Sequence, residues 1–164
     1  MTFNAGKGLV PFVVEMGEGY KDISANMLVR RLASADQTGG EFGLIEMSGV
    51  RGISAGAHRH GNEAESFYML EGEIRVFVED LETVTRPGDF LYIPRGARHK
   101  FSIESSHARF LCLITPGGFE DFFTAMGKPT SDAYPPNPPF PPFIPPDNLG
   151  DIVERFNWHP VADW

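Results

Sequence analysis

The strongest constraint on this chain is a cadence. From Ile53 to Pro116, short apolar runs are cut by Gly or Pro roughly every ten residues. Glu65 to Leu70, Ile74 to Val78, Leu81 to Thr85, Phe90 to Ile93, His99 to Ile103 and Ala108 to Thr115 read as strands. Glu71-Gly72-Glu73 reads as a hairpin connection, and Arg86-Pro87-Gly88-Asp89 has Pro and Gly in type II order. This pattern predicts an all-β sandwich or barrel. Upstream, Met27 to Leu32 and Glu41 to Val50 are two more strands, joined by the polar turn Ser34 to Gly40. Leu9 to Met16 is an expected edge strand, with Pro11 at its start, where no ladder N–H is needed. In Glu41 to Val50, Phe42, Leu44 and Glu46 share one face and Gly43, Ile45 and Met47 the other; alternation leaves open which is inside.

After Pro116 the period changes. Phe119, Phe122, Phe123 and Met126 recur at helical spacing, with Glu120 and Asp121 in the first turn and Gly127 and Pro129 as the stop. The aromatic face of this short helix is expected to cap the barrel, with lining a ligand pocket as its second use. Residues 129–146 hold nine prolines and are expected to run as extended polyproline II. Tyr134, Phe140, Phe143 and Ile144 among them point to an ordered strap on the body or on a partner subunit, rather than a linker. Leu149, Ile152, Val153 and Phe156 predict a last helical turn or two, before the tail at Asn157. The whole chain, 1–164, reads as one domain, with a core barrel at about 27–118 and helix, strap and tail over 119–164.

Composition excludes some functions. A net charge of −8 argues against nucleic acid or an anionic membrane as partner. No segment approaches a membrane span or a signal peptide, and a lone cysteine suits a reducing compartment, so a cytoplasmic protein is expected. That cysteine, Cys112, lies in an apolar run and reads as a small buried hydrophobe.

The chemistry concentrates in Gly52 to Gly72. His58 and His60 are two apart, so on a strand both imidazoles leave the same face. Glu65 follows a short polar turn, and a strand–turn–strand arrangement would return its carboxylate beside them. Two nitrogens and an oxygen suit a borderline transition metal. His99 is the strongest candidate for a fourth ligand, since antiparallel pairing could lay its strand beside His58. His107, near a turn, and His159, in the tail, read as solvated.

The spacings are Gly52-(X)5-His58-X-His60-(X)4-Glu65-(X)6-Gly72 and Gly88-(X)5-Pro94-X-Gly96-(X)2-His99. The chain thereby resembles a single-domain cupin, departing only at Ile103, where the second motif often carries an Asn that is not a metal ligand. The resemblance implies a jelly-roll β-barrel, usually dimeric, that holds one divalent transition metal (Fe, Mn, Ni, Cu, Co or Zn) through His58, His60, Glu65 and His99. VFVEDLETVTRPGDFLYIPRGARHKF and LITPGGFEDFFTAMGKP, with the Pro-rich tail, look similar to single-domain quercetin 2,3-dioxygenases and their relatives.

That second resemblance implies a dioxygenase cleaving a flavonol-like or polyphenolic substrate, with dioxygen as co-substrate. Glu65 would be both ligand and catalytic proton acceptor, while the metal lowers the pKa of a substrate hydroxyl. By alternation, Phe67, Met69 and Phe101 share a face with Glu65 and His99 and are the expected pocket residues. Two alternatives remain: a non-redox isomerase, cyclase, dehydratase or decarboxylase acting on an aromatic or polyketide-like substrate, and a non-catalytic ligand-binding cupin.

Overall fold

Strand alternation is realised most fully in His107–Thr115, where Ala108, Phe110, Cys112 and Ile114 point inward with no exposed surface. A computed structural model describes residues 9–142, 144–162 and 164. Its strands are β1 (Lys21–Ser24), β2 (Met27–Ala33), β3 (Gly43–Val50), β4 (Ser54–His60), β5 (Ala64–Glu71) and β6 (Ile74–Val78). They continue with β7 (Leu81–Thr85), β8 (Phe90–Ile93), β9 (His99–Ile103), β10 (His107–Thr115), β11 (Lys128–Pro129) and β12 (Trp158–Pro160). Three short helices, α1 (Ala35–Thr38), α2 (Glu120–Met126) and α3 (Leu149–Arg155), lie between strands. No helix among the described residues is long and apolar enough to cross a membrane.

The strands form two antiparallel sheets, ordered β11-β1-β2-β3-β10-β5-β8 and β12-β4-β9-β6-β7. Their inner faces enclose one core. At its centre Phe67 and Phe110 from the larger sheet meet Phe101 from the smaller, with ring centroids 5.1–5.9 Å apart. Such tilted and edge-on contacts are the favoured geometry for aromatic pairs. On β3 the inner face belongs to Ile45 and Met47.

Several sequence expectations need correction. The run from Leu9 to Met16 forms no strand, and Val10, Val13 and Met16 are exposed. The outer place beside β2 is taken by β1, whose Asp22 and Ser24 point inward and give it no apolar signature. The turn Ser34 to Gly40 contains α1, started by a capping box in which the Ser34 hydroxyl accepts from the Gln37 N–H and the Gln37 side chain accepts from the Ser34 N–H.

Glu71-Gly72-Glu73 is not a hairpin. It carries the chain from β5 in one sheet to β6 in the other, and Gly72 has φ 72° where a Cβ would strike the His107 carbonyl. The hairpin is the next connection, β6 to β7 through Glu79 and Asp80. The tail contributes β12, an edge strand on β4. Sheet strands therefore reach from Lys21 to Pro160, beyond the 27–118 expected for the barrel.

The strap is only partly laid down. Pro135 is buried and Phe140 packs against the core, whereas Tyr134 and Ile144 are exposed. Phe143 lies outside the described residues.

Candidate metal centre

The centre is built across the two sheets. On β4, His58 and His60 are both inward, as their spacing of two requires. The ladder between β4 and β9 sets His99 directly opposite His58. Glu65 comes from β5, in the other sheet, and its carboxylate crosses the interior to meet the imidazoles. The expected strand–turn–strand clip is thus replaced by an intersheet bridge, because Gly61 to Glu63 carries the chain from one sheet to the other. One donor atom from each of His58, His60, Glu65 and His99 lies within 4.8 Å of all the others, and all four residues are buried.

Backbone contacts orient the rings. His58 Nδ1 donates to the Gly56 carbonyl at 2.7 Å and His99 Nδ1 to the Ala97 carbonyl at 3.0 Å, which leaves each Nε2 lone pair for the interior. Glu65 Oε2 lies 3.2 Å from His99 Nε2 and 3.5 Å from His60 Nε2. His99 Nε2 and both nitrogens of His60 are buried with no hydrogen-bond partner among the described residues. Buried polar nitrogens without partners are costly. A divalent cation at the focus of these atoms would satisfy those that converge there, so the residues fit a transition metal.

The electrostatics agree with that donor set. Burial, followed by the charges of His99 and His60, lowers His58 to about 4. Burial also lowers His60 despite the nearby Glu65 charge. For Glu65 burial pushes upward, but His60, His99 and His58 together outweigh it and hold the carboxyl well below its usual range. His99 is opposed by burial yet raised by its contact with Glu65. Two neutral imidazoles and an ionised carboxylate therefore stand ready to ligate, with His99 leaning on the carboxylate. Next to the centre, burial and the Glu65 charge raise Glu63 to about 7.

Cys112 has a part that its sequence surroundings did not suggest. Its thiol donates to Glu65 Oε1 at 3.5 Å, on the oxygen turned away from His99, and burial followed by the Glu65 charge keeps it protonated. Register on β10, two residues from the partner of Glu65, carries this information, and a reading strand by strand could not supply it.

The four donors open on a cavity of about 340 Å³. Of the three expected pocket residues, Phe67 and Phe101 are on its wall, whereas Met69 lies outside the lining and 1% exposed in the core. Helix α2 covers the cavity: Phe119, Phe122, Phe123 and Met126 all line it, and the Phe119 ring meets His60 edge-on at 4.1 Å. The aromatic face thus lines a cavity as well as packing on the barrel. Sequence reasoning missed Trp158 and Pro160, which β12 adds to the wall, and Met27 and Met47 from the larger sheet. The one available signal was a tail that holds both tryptophans of the chain, Trp158 and Trp164. His107 and His159 are away from the centre, the first 3.7 Å from Glu71 and the second bonded to Asn157.

Residues 47–114 match the cupin domain family. Quercetin 2,3-dioxygenase of Bacillus subtilis (strain 168) is 34% identical over 122 residues, which are 74% of this chain and 36% of that protein. The protein of the same name from Aspergillus japonicus is 26% identical over 130 residues, 74% of this chain and 37% of that one. The chain therefore spans little more than a third of the length of these curated relatives, at 36% and 37%. Among solved structures, an RmlC-like cupin from Shewanella frigidimarina superposes with a TM-score of 0.59 at 19% identity, covering 69% of this chain and 96% of that one. The two-sheet fold and the motif spacing agree with this family match, and residues 47–114 form a cupin domain.

Proposed function

We propose that the chain is a metal-dependent dioxygenase that cleaves a flavonol-like or polyphenolic aromatic substrate. The observation that carries this reading is the placement of four candidate metal donors at one wall of a largely aromatic and apolar cavity. The quercetin 2,3-dioxygenases among its relatives support the same reading. His58 and His99 would hold a divalent transition metal through Nε2, with His60 and Glu65 Oε2 completing the set. Such an ion supplies Lewis acidity, which lowers the pKa of a substrate hydroxyl brought to it.

The residues do the rest. Glu65 is the one carboxylate lining the cavity among the described residues, and it is ionised well below neutral pH, so it is placed to take the hydroxyl proton. The Cys112 thiol on Oε1 holds the carboxylate in one orientation while Oε2 faces the imidazoles. Phe67, Phe101 and Phe119 exclude water and offer flat apolar surfaces to an aromatic ring.

Incubation of the metal-loaded protein with quercetin, under air and under nitrogen, tests the reading. Quercetin loss with matching oxygen uptake under air, and none under nitrogen, is expected. Turnover without oxygen would replace the reading with non-redox chemistry, and binding without turnover in either atmosphere with a ligand-binding role.

A further inference from the structure

One wall of the cavity comes from a strand that lies outside the matched cupin residues 47–114. β12 pairs antiparallel on β4 with Trp158 opposite His60 and Pro160 opposite His58, so the tail lies alongside the strand that carries two of the four donors. It is fastened at both ends. Before it, the Gly61 N–H donates to the Asn157 carbonyl at 3.0 Å, and the Asn157 side-chain amide donates to Asn62 Oδ1 at 2.8 Å. After it, the Val161 N–H donates to the Ala57 carbonyl at 2.8 Å.

This fastening presents one large side chain to the interior. The Trp158 ring lies 5.6 Å from His58, with planes 37° apart, and 5.6 Å from Phe122, with planes 33° apart. It stands between a metal donor and the covering helix, and it lines the cavity. Phe122 in turn stacks on Phe119, with centroids 4.7 Å apart and planes within 14°. Indole has the largest and most polarisable π-face available to a protein, and a ring held by a strand pays little further entropy on binding a flat ligand.

We infer that Trp158 is a specificity-determining residue, whose indole is the surface on which a planar aromatic substrate stacks beside His58. The inference rests on the aromatic substrate class proposed above. It assigns selection of a flat ring to the tail, and it leaves metal binding to β4, β5 and β9.

The test uses the full metal-loaded chain with Trp158→Phe and Trp158→Leu. Binding is measured by calorimetry under nitrogen, with quercetin and with dihydroquercetin, whose saturated central ring is puckered. Metal stoichiometry is measured alongside. Trp158→Phe should stay within about threefold of the parent for quercetin, and Trp158→Leu should bind it roughly tenfold more weakly. Dihydroquercetin affinity should change little in either variant, and metal content should not change.

Equal quercetin affinity in the Phe and Leu variants would overturn the inference, because any apolar side chain would then serve. Loss of metal in Trp158→Leu would also overturn it, since the indole would then support His58 rather than the substrate. Quercetin binding by the parent without oxygen uptake would remove the proposed reaction and leave the role of Trp158 standing on the binding data. A parent that binds neither flavonoid would end both.

Discussion

The two sides of the cavity are built by different means. On one side, His58, His60, Glu65 and His99 project from strands whose neighbours are paired residue by residue. On the other, Phe119, Phe122 and Trp158 come from the N-cap of a seven-residue helix, the helix itself and a three-residue edge strand, all beyond the barrel's last long strand. Ladder pairing fixes a donor atom in space, and a metal requires that of its ligands. Aromatic packing can be exchanged without disturbing a ladder, so the covering side can vary with substrate while the donor side stays constant.

The largest expected effect separates the two sides. His99→Ala removes one donor from a centre whose members all lie within 4.8 Å. Elemental analysis of the purified variant should show metal stoichiometry falling from near one to near zero, and turnover should fall with it. Phe119→Ala, on the covering side, should lose stability by about 3–5 kcal/mol as a fully buried ring is truncated, yet keep its metal. Full metal in His99→Ala, or its loss in Phe119→Ala, would break the division between the sides.

A smaller effect is expected where the two sides are joined. Glu120 opens α2 and is 1% exposed. Its Oε1 accepts the Ala35 N–H at 2.6 Å and its Oε2 accepts the Gly118 N–H at 2.7 Å, tying the covering helix to α1 and to the loop after β10. Glu120→Ala leaves two amides without acceptors, at a cost of about 2–4 kcal/mol. Glu120→Gln would be nearly as costly, because one acceptor oxygen becomes an NH2 group facing an N–H donor. Thermal unfolding should show both variants several degrees below the parent. A Gln variant as stable as the parent would show that one acceptor is enough to hold the helix.

The donor side could be read from the sequence because its signals are local. His58 and His60 share a face through the period of two, and Gly88 and Gly96, with φ of 93° and 78°, mark the turns on either side of β8. The side on which Glu65 lies could not be read, since it depends on β5 pairing with β10, some forty residues further on. Met69 shows how alternation fails by depth rather than by parity. It shares the inward face with Glu65 and Phe67, but four residues of strand carry it about 13 Å from Glu65, past the cavity and into the core. β12 was hidden for another reason. Its His159 and Pro160 are poor strand formers, and only pairing with β4 gives Trp-His-Pro an extended conformation.

The smallest effects belong to the strap, and they bear on how far the covering side extends. Phe140 packs against the core and approaches Gly52, so Phe140→Ala should cost roughly 1–2 kcal/mol as a half-buried ring is lost. Tyr134 and Ile144 are 79% and 83% exposed, and Tyr134→Ser and Ile144→Ser should each stay within about 0.5 kcal/mol of the parent. Thermal unfolding at two protein concentrations a hundredfold apart checks this. An Ile144→Ser shift that is absent in dilute protein and grows to several degrees in concentrated protein would place Ile144 under a second copy of the chain. In that case the strap would lie between two subunits. A shift near zero at both concentrations leaves the cover as α2 and β12.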